Sequence, residues 1–201
     1  MNKLMICTLL MLLLAGLTPL AQGAPISAVS ATGTGAYTNS PSLLINGVIP
    51  SEGTLWTWPT NVWWYGTTPR FTIDLGGIYT IQDVVVQVDN NDGYKVDYST
   101  DTINWNNLFT ILSGYGEIGY GMDTMNTFSG DLEHVSGIDF SPSVSARYLR
   151  IYATGGDNSY AVSELQAHGT AAGPIPEPST FILLGFGLLG MAGHARKRMK
   201  K

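Results

Sequence analysis

Residues 94–105 read Y-K-V-D-Y-S-T-D-T-I-N-W. Tyr94, Val96 and Tyr98 alternate with Lys95, Asp97 and Ser99, the period-two pattern of a strand with one buried face. Ser99, Thr100, Asp101 and Thr102 carry side chains that bond their own backbone and favour a turn over a ladder. Ile103 and Trp105 then restart the apolar pattern. The stretch predicts a hairpin whose aromatic side chains, Trp105 included, meet a second sheet.

The flanking sequence extends this reading. Residues 70–77 (R-F-T-I-D-L-G-G) predict a strand closed by a glycine turn, and residues 80–89, with Ile81, Val84, Val85, Val86 and Val88, a second core strand. Residues 106–112, 137–140, 146–153 and 160–169 read as further strands. Residues 113–130 hold Gly114, Gly116, Gly119, Gly121 and Gly130 and read as a long surface loop. Residues 25–39 suit a linker or a first edge strand, and residues 40–47 end in the Asn46-Gly47 turn signal. Residues 51–66 fit no period and read as loops carrying aromatics. No stretch between residues 24 and 173 sustains an apolar period of 3.6, so the prediction is an all-β, antiparallel sandwich.

Charge excludes one class of partner. Between residues 24 and 173 four basic residues stand against fourteen acidic ones, a net charge of −10. Such a surface repels phosphate backbones, so no nucleic acid is expected as partner. The single cysteine, Cys7, lies in the N-terminal apolar run, leaving the middle no disulfide and no thiolate metal site.

Both ends read as addresses. Lys3, the apolar run 4–17 and the small residues Ala21 and Gly23 have the layout of a secretory signal peptide, residues 1–23, cut after Gly23 or Ala24 by signal peptidase. An uncleaved anchor helix is the alternative. The C-terminal piece, residues 173–201, has three parts: Pro176-Glu177-Pro178-Ser179, a glycine-bearing apolar segment from 181 to 193, and a cluster with Arg196, Lys197, Arg198, Lys200 and Lys201. The basic cluster would stay on the cytoplasmic side of an inner membrane. The order of these parts resembles the PEP-CTERM sorting signal. That resemblance implies transient membrane insertion by a hydrophobic helix, recognition by an exosortase through Pro176, Glu177 and Pro178, and delivery to the cell surface or an exopolysaccharide matrix.

The intervening body, residues 24–172, resembles the discoidin (F5/8 type C) family. The matching pieces, in order, are Ser42–Gly47 in number (S-L-L-I-N-G), Thr54-Leu55-Trp56, the strand 71–76, the hairpin 94–105, Ala146-Arg147-Tyr148-Leu149-Arg150-Ile151 and Ser163-Glu164-Leu165. The resemblance implies a galactose-binding-like jelly roll of about eight strands, with Trp56 and Trp105 in the core. It also implies a structural calcium ion held by Asn46, Thr54 and Glu164. Asn46 stands where the family carries Asp, which removes a charge from that site, and the competing reading has Asn46 capping its turn and Glu164 pairing with an arginine.

Catalysis is not expected. No nucleophile elbow, His-x-x-x-His pair or phosphate loop occurs, and Glu133 and His134, as neighbours in extended chain, point to opposite faces. A sugar offers an apolar C–H face that stacks on aromatic rings and hydroxyls that need amides and carboxylates. Trp58, Trp63, Trp64 and Tyr65 are the stacking candidates, and Asn61, Asn90, Asn91 and Asp92 the hydrogen-bonding ones. In an extended segment Trp63 and Trp64 cannot both point inward. The expected protein is a non-catalytic exported module binding a glycan or exopolysaccharide. The competing readings are a structural or adhesive protein that binds other proteins, and a lipid binder, for which the negative charge is unfavourable.

Overall fold

The alternation of residues 94–99 is present in the computed structural model, which describes residues 21–173. Nine strands form: β1 (Ala24–Pro25), β2 (Ser30–Thr34), β3 (Val62–Tyr65), β4 (Arg70–Asp89), β5 (Gly93–Ser99), β6 (Asn106–Ile111), β7 (Met122–Asn126), β8 (Val144–Gly155) and β9 (Ser159–Ala171). Single 3-10 turns occupy Pro41–Ile45 and Ser136–Ile138. All strand pairings are antiparallel. The body is a jelly-roll β-sandwich. The N-terminal apolar run, Pro176-Glu177-Pro178 and the tail after them lie outside the described residues. Among the described residues no helix is long and apolar enough to cross a membrane.

Strand β4 organises both layers. Its first residues, Arg70 to Asp74, pair with β2 and β8, and Tyr79 to Asp89 pair with β9 and β7. One layer therefore runs β2–β4–β8–β5–β6 and the other β3–β9–β4–β7. The expected turn at Gly76-Gly77 is instead a bend within one strand. The register shifts between Asp74 and Tyr79, and Gly76 adopts φ +78°, so the chain switches layers without reversing.

Between the layers, Trp64, Phe71, Tyr94 and Tyr160 form the aromatic centre. Trp64 lies 4.8 Å from Phe71 and 6.0 Å from Tyr160, ring centre to ring centre. Tyr94, on β5, reaches across the core, and its hydroxyl accepts a hydrogen bond from the Ala161 N–H of β9 at 3.1 Å. One side chain thus supplies apolar area and satisfies a backbone donor of the opposite layer. Leu44, from the first 3-10 turn, closes the core at another side.

The polar turn of the hairpin forms as its residues require. Ser99 Oγ accepts from Asp101 N and Thr102 N, and Asp101 Oδ1 accepts from Ile103 N and Asn104 N. Trp105 departs from expectation: it precedes β6 and is half-buried. Its ring lies under the Arg150 guanidinium at 4.0 Å, and Arg150 bonds the buried Asp97 at 2.8 Å. Trp105 therefore shields an ion pair on the outer face of β5 and β8, where a cation over indole is favourable.

Three other segments differ from the sequence reading. Residues 62–65, expected as loop, are β3. Residues 122–126, expected within a surface loop, are β7, and every residue of it is buried. Residues 137–140, expected as a strand, begin in a 3-10 turn. Residues 49–54 cover the outer face of β4 and β7: Gln87 Nε2 donates to Pro50 O at 2.7 Å and to Thr124 Oγ1 at 3.0 Å, while Ser163 Oγ bonds Gln87 Oε1. That cover buries polar residues that would otherwise face solvent.

Candidate functional site

Strand β3 lies beside β9, with Val62 opposite Val162, Trp63 opposite Ala161, Trp64 opposite Tyr160 and Tyr65 opposite Ser159. The period of two sends Val62 and Trp64 into the core and Trp63 and Tyr65 outward. Trp64 is 1% exposed, so its ring offers no face to a ligand. Tyr65 is 59% exposed and Trp63 half-buried.

Residues 54–61 bring Trp56 onto this outer face. Trp56 is only half-buried and is not a core residue as expected. Its ring stands edge-on to Trp63 at 5.3 Å and to Tyr65 at 5.8 Å, and Trp63 and Tyr65 are 5.8 Å apart. Trp58, 52% exposed, sits in the same loop. The anchor is Asn61, whose amide donates to Leu55 O at 3.0 Å and Trp56 O at 3.1 Å. Fully buried, Asn61 sets the loop rather than facing solvent. The result is an aromatic patch outside the core, carried on one strand and one amide-pinned loop.

The end of β3 meets the β4–β5 and β8–β9 turns, since Gly66 N donates to Asn158 O and Asn91 Nδ2 to Asp157 Oδ2. Of the three polar candidates there, only Asn91 is exposed. Asn90 is buried; its side chain donates to Ile118 O and its carbonyl accepts from Gly114 N. Asp92 is buried and accepts from Asp157 N at 3.0 Å. Asn90 and Asp92 therefore build the turns. Burial pushes the Asp92 carboxyl up to about 7, and burial together with the Asp157 charge pushes Asp89 up to about 6. Asp157, exposed beside Asn91, is a polar residue at this edge that sequence patterning did not single out.

The expected calcium ligands are only partly assembled. Glu164, buried on β9, accepts from Gly47 N at 3.1 Å, so it does reach the Asn46-Gly47 turn, beside a cleft of about 280 Å³. Burial raises its carboxyl to about 7. Asn46 Oδ1 already accepts from Val48 N at 2.8 Å. Thr54 is tied to β7, its carbonyl accepting from Met122 N at 2.9 Å, and its hydroxyl donates to Ser51 O. A single carboxylate with one engaged amide oxygen is a sparse set for a cation that takes six to eight oxygens. A richer set, Glu52, Glu117 and Asp123, gathers carboxylate oxygens within 4.8 Å of one another. These three are scattered over loops and β7, and no spacing in the sequence links them.

A family model described as F5/8 type C domain matches residues 25–165, and one described as PEP-CTERM protein-sorting motif matches residues 174–197. No curated protein matches the sequence. Among solved structures the chain is similar to a fucolectin from Morone saxatilis (striped bass) serum, with TM-score 0.53 and 14% identity over 74% of this chain and 50% of that one. It is also similar to truncated AlyQ with CBM32 and alginate lyase domains, with TM-score 0.50 and 16% identity over 73% of this chain and 33% of that one. The CBM32 of AlyQ in complex with 4,5-unsaturated mannuronic acid matches at TM-score 0.47 and 17% identity, over 71% of this chain and 96% of that one. At such identities the likeness is one of fold.

Proposed function

The chain belongs to the F5/8 type C domain family and carries a PEP-CTERM sorting motif, and from that premise we propose that it is an exported, non-catalytic module that binds carbohydrate at the cell surface or in exopolysaccharide. The observation that supports this most is the aromatic patch of Trp56, Trp63 and Tyr65 with Trp58 beside it. These rings lie outside the core, so their cost in exposed apolar area is recovered only when something covers them. Asn91 and Asp157, bonded to each other, supply polar atoms on the turns that meet the end of that strand. Apolar faces bordered by a few amides and carboxylates suit a sugar ring. Two of the similar folds carry the names fucolectin and CBM32, which agrees with this reading. Export would proceed through signal peptidase at the N-terminus and exosortase at Pro176, Glu177 and Pro178, with the C-terminal segment crossing the inner membrane in transit.

A glycan array probed with the full chain tests the proposal. Trp63→Ala and Tyr65→Ala should each weaken binding about tenfold, from lost ring area and stacking. Neither should change the fold. Trp64→Ala should instead cost about 3–5 kcal/mol of stability, as removal of a core aromatic does. Binding that survives both Trp63→Ala and Tyr65→Ala would reject this patch as the site.

Val48, Ile49 and Leu55 are also exposed apolar side chains on the loop that carries Trp58. They favour the second reading, an adhesive or matrix protein that docks another protein. Silence on every glycan, with a protein partner lost on Leu55→Ser, would favour it over the first.

A further inference from the structure

Strand β7 is an edge strand, bonded to β4 on one side only. Loop groups take its other edge. Gly53 N donates to Met122 O at 2.9 Å, Thr124 N to Glu52 Oε1 at 3.3 Å, and Asn126 N to Glu133 O at 2.7 Å. The Glu52 carboxylate thus meets β7 at Thr124, next to Asp123, and the Glu133 backbone meets it at Asn126.

Over Asp123 closes the glycine-bearing segment 113–121. Gly116 has φ +89°, and a Cβ there would lie 2.1 Å from Asp123 Oδ2, so only glycine permits the approach. Ile118 N reaches the same oxygen at 3.4 Å. Asp123 is 0% exposed, and its other oxygen, Oδ1, is buried with no hydrogen-bond partner. Glu133 Oε2 is likewise buried and unpartnered. Among the described residues, the lysine and arginine ion pairs engage Asp74 and Asp97 and none of these four carboxylates.

An unpaired carboxylate oxygen in a buried position costs free energy unless a cation or donor meets it. Here two such oxygens, on Asp123 and Glu133, stand beside the Glu52 and Glu117 carboxylates with no basic side chain among the described residues paired to them.

We propose that Glu52, Glu117 and Asp123, with Glu133 beside them, bind one hard divalent cation of the calcium class, fastening segment 113–121 to β7. The donors are all oxygen, with no histidine or cysteine among them, which selects a hard ion. They come from separate loops and from strand β7 with no octahedral frame, a setting that suits the larger, geometrically tolerant Ca²⁺ over Mg²⁺. The site is separate from the Glu164 cleft, and it does not depend on the glycan reading.

Calorimetric titration of CaCl₂ into the EDTA-treated full chain tests it, with MgCl₂ in parallel. The expected result is uptake of one Ca²⁺ per chain, with Kd on the order of 10⁻⁴–10⁻³ M, the range of extracellular modules. Asp123→Asn and Glu117→Gln should each abolish the heat, and Glu164→Gln should leave it intact. Glu52 and Glu117 are exposed, so Glu52→Gln and Glu117→Gln keep the test decisive if Asp123→Asn fails to fold by circular dichroism. No uptake by the wild-type chain would overturn the proposal. So would uptake that persists in both Glu52→Gln and Glu117→Gln, or that vanishes only in Glu164→Gln.

Discussion

Asp92 is a carboxyl kept in place by one backbone bond, from Asp157 N to its Oδ1, while its Oδ2 is buried and unpartnered. Burial lifts it from the ordinary value of 3.8 to about 7. Asp89, beside it, is lifted to about 6. The folded state therefore keeps protons that the unfolded chain has already released. Below about pH 4 both states are protonated and the groups contribute nothing to the difference; as pH rises toward 7 the unfolded state alone ionises, and stability falls by up to about 1.4 kcal/mol per pH unit and group. Asp92→Asn keeps the Oδ1 acceptor and removes the ionisation. The variant should match wild type near pH 4 and exceed it by roughly 1–3 kcal/mol at pH 8. Urea midpoints at both pH values measure this, and parallel pH profiles for the two proteins would contradict it.

At the level of elements, the layer switch in β4 rests on Gly76. Its φ of +78° is a left-handed conformation, and a Cβ there would lie 2.7 Å from Val29 Cγ1. Gly76 N also donates to Asp74 Oδ1 at 2.8 Å, which holds the bend. An L-residue in that conformation costs about 1–2 kcal/mol before any clash. Gly76→Ala should lower the unfolding free energy by at least that amount, and an unchanged urea midpoint would show that the bend tolerates another geometry. The same bend shows where sequence reading ends. Alternation marked β5 and β8 because each has one polar face, and it marked Trp63 and Trp64 as facing opposite ways. A Gly-Gly pair, however, serves a reversal and a bend equally well, and only the register against β8 and β9 tells them apart. Strand β7 was hidden for a different reason. Met122-Asp123-Thr124-Met125-Asn126 is polar at three of its five positions yet wholly buried, because loops cover its outer face. Asn61, Asn90 and Asp92 look like ligand groups in sequence, but tertiary contacts turn them into loop anchors. Trp63, Tyr65 and Asn91 remain outside.

For the whole molecule, the two ends of the folded body meet: Ala24 pairs with Gly169 and Pro25 with His168. The aromatic patch sits toward the other end of β9, where Trp63 pairs with Ala161 and Tyr65 with Ser159. Eight residues of extended chain between Ala161 and Gly169 put about 26 Å between these points. A chain leaving the body after β9 therefore departs well away from the patch, so attachment and binding should be separable. Replacing Pro176, Glu177 and Pro178 with alanine in the full chain, expressed in a host with an exosortase, should retain the protein in the membrane fraction. Wild-type protein should appear at the surface or in the medium with a new C-terminus near residue 178, read by mass spectrometry. Glycan binding by the two forms should be equal, since the patch and its supporting strands are untouched. Equal release of both forms would show that these three residues do not direct sorting. Unequal binding would show that the tail reaches the aromatic face after all, and would move the ligand site toward the end of the body where Ala24 and Gly169 meet.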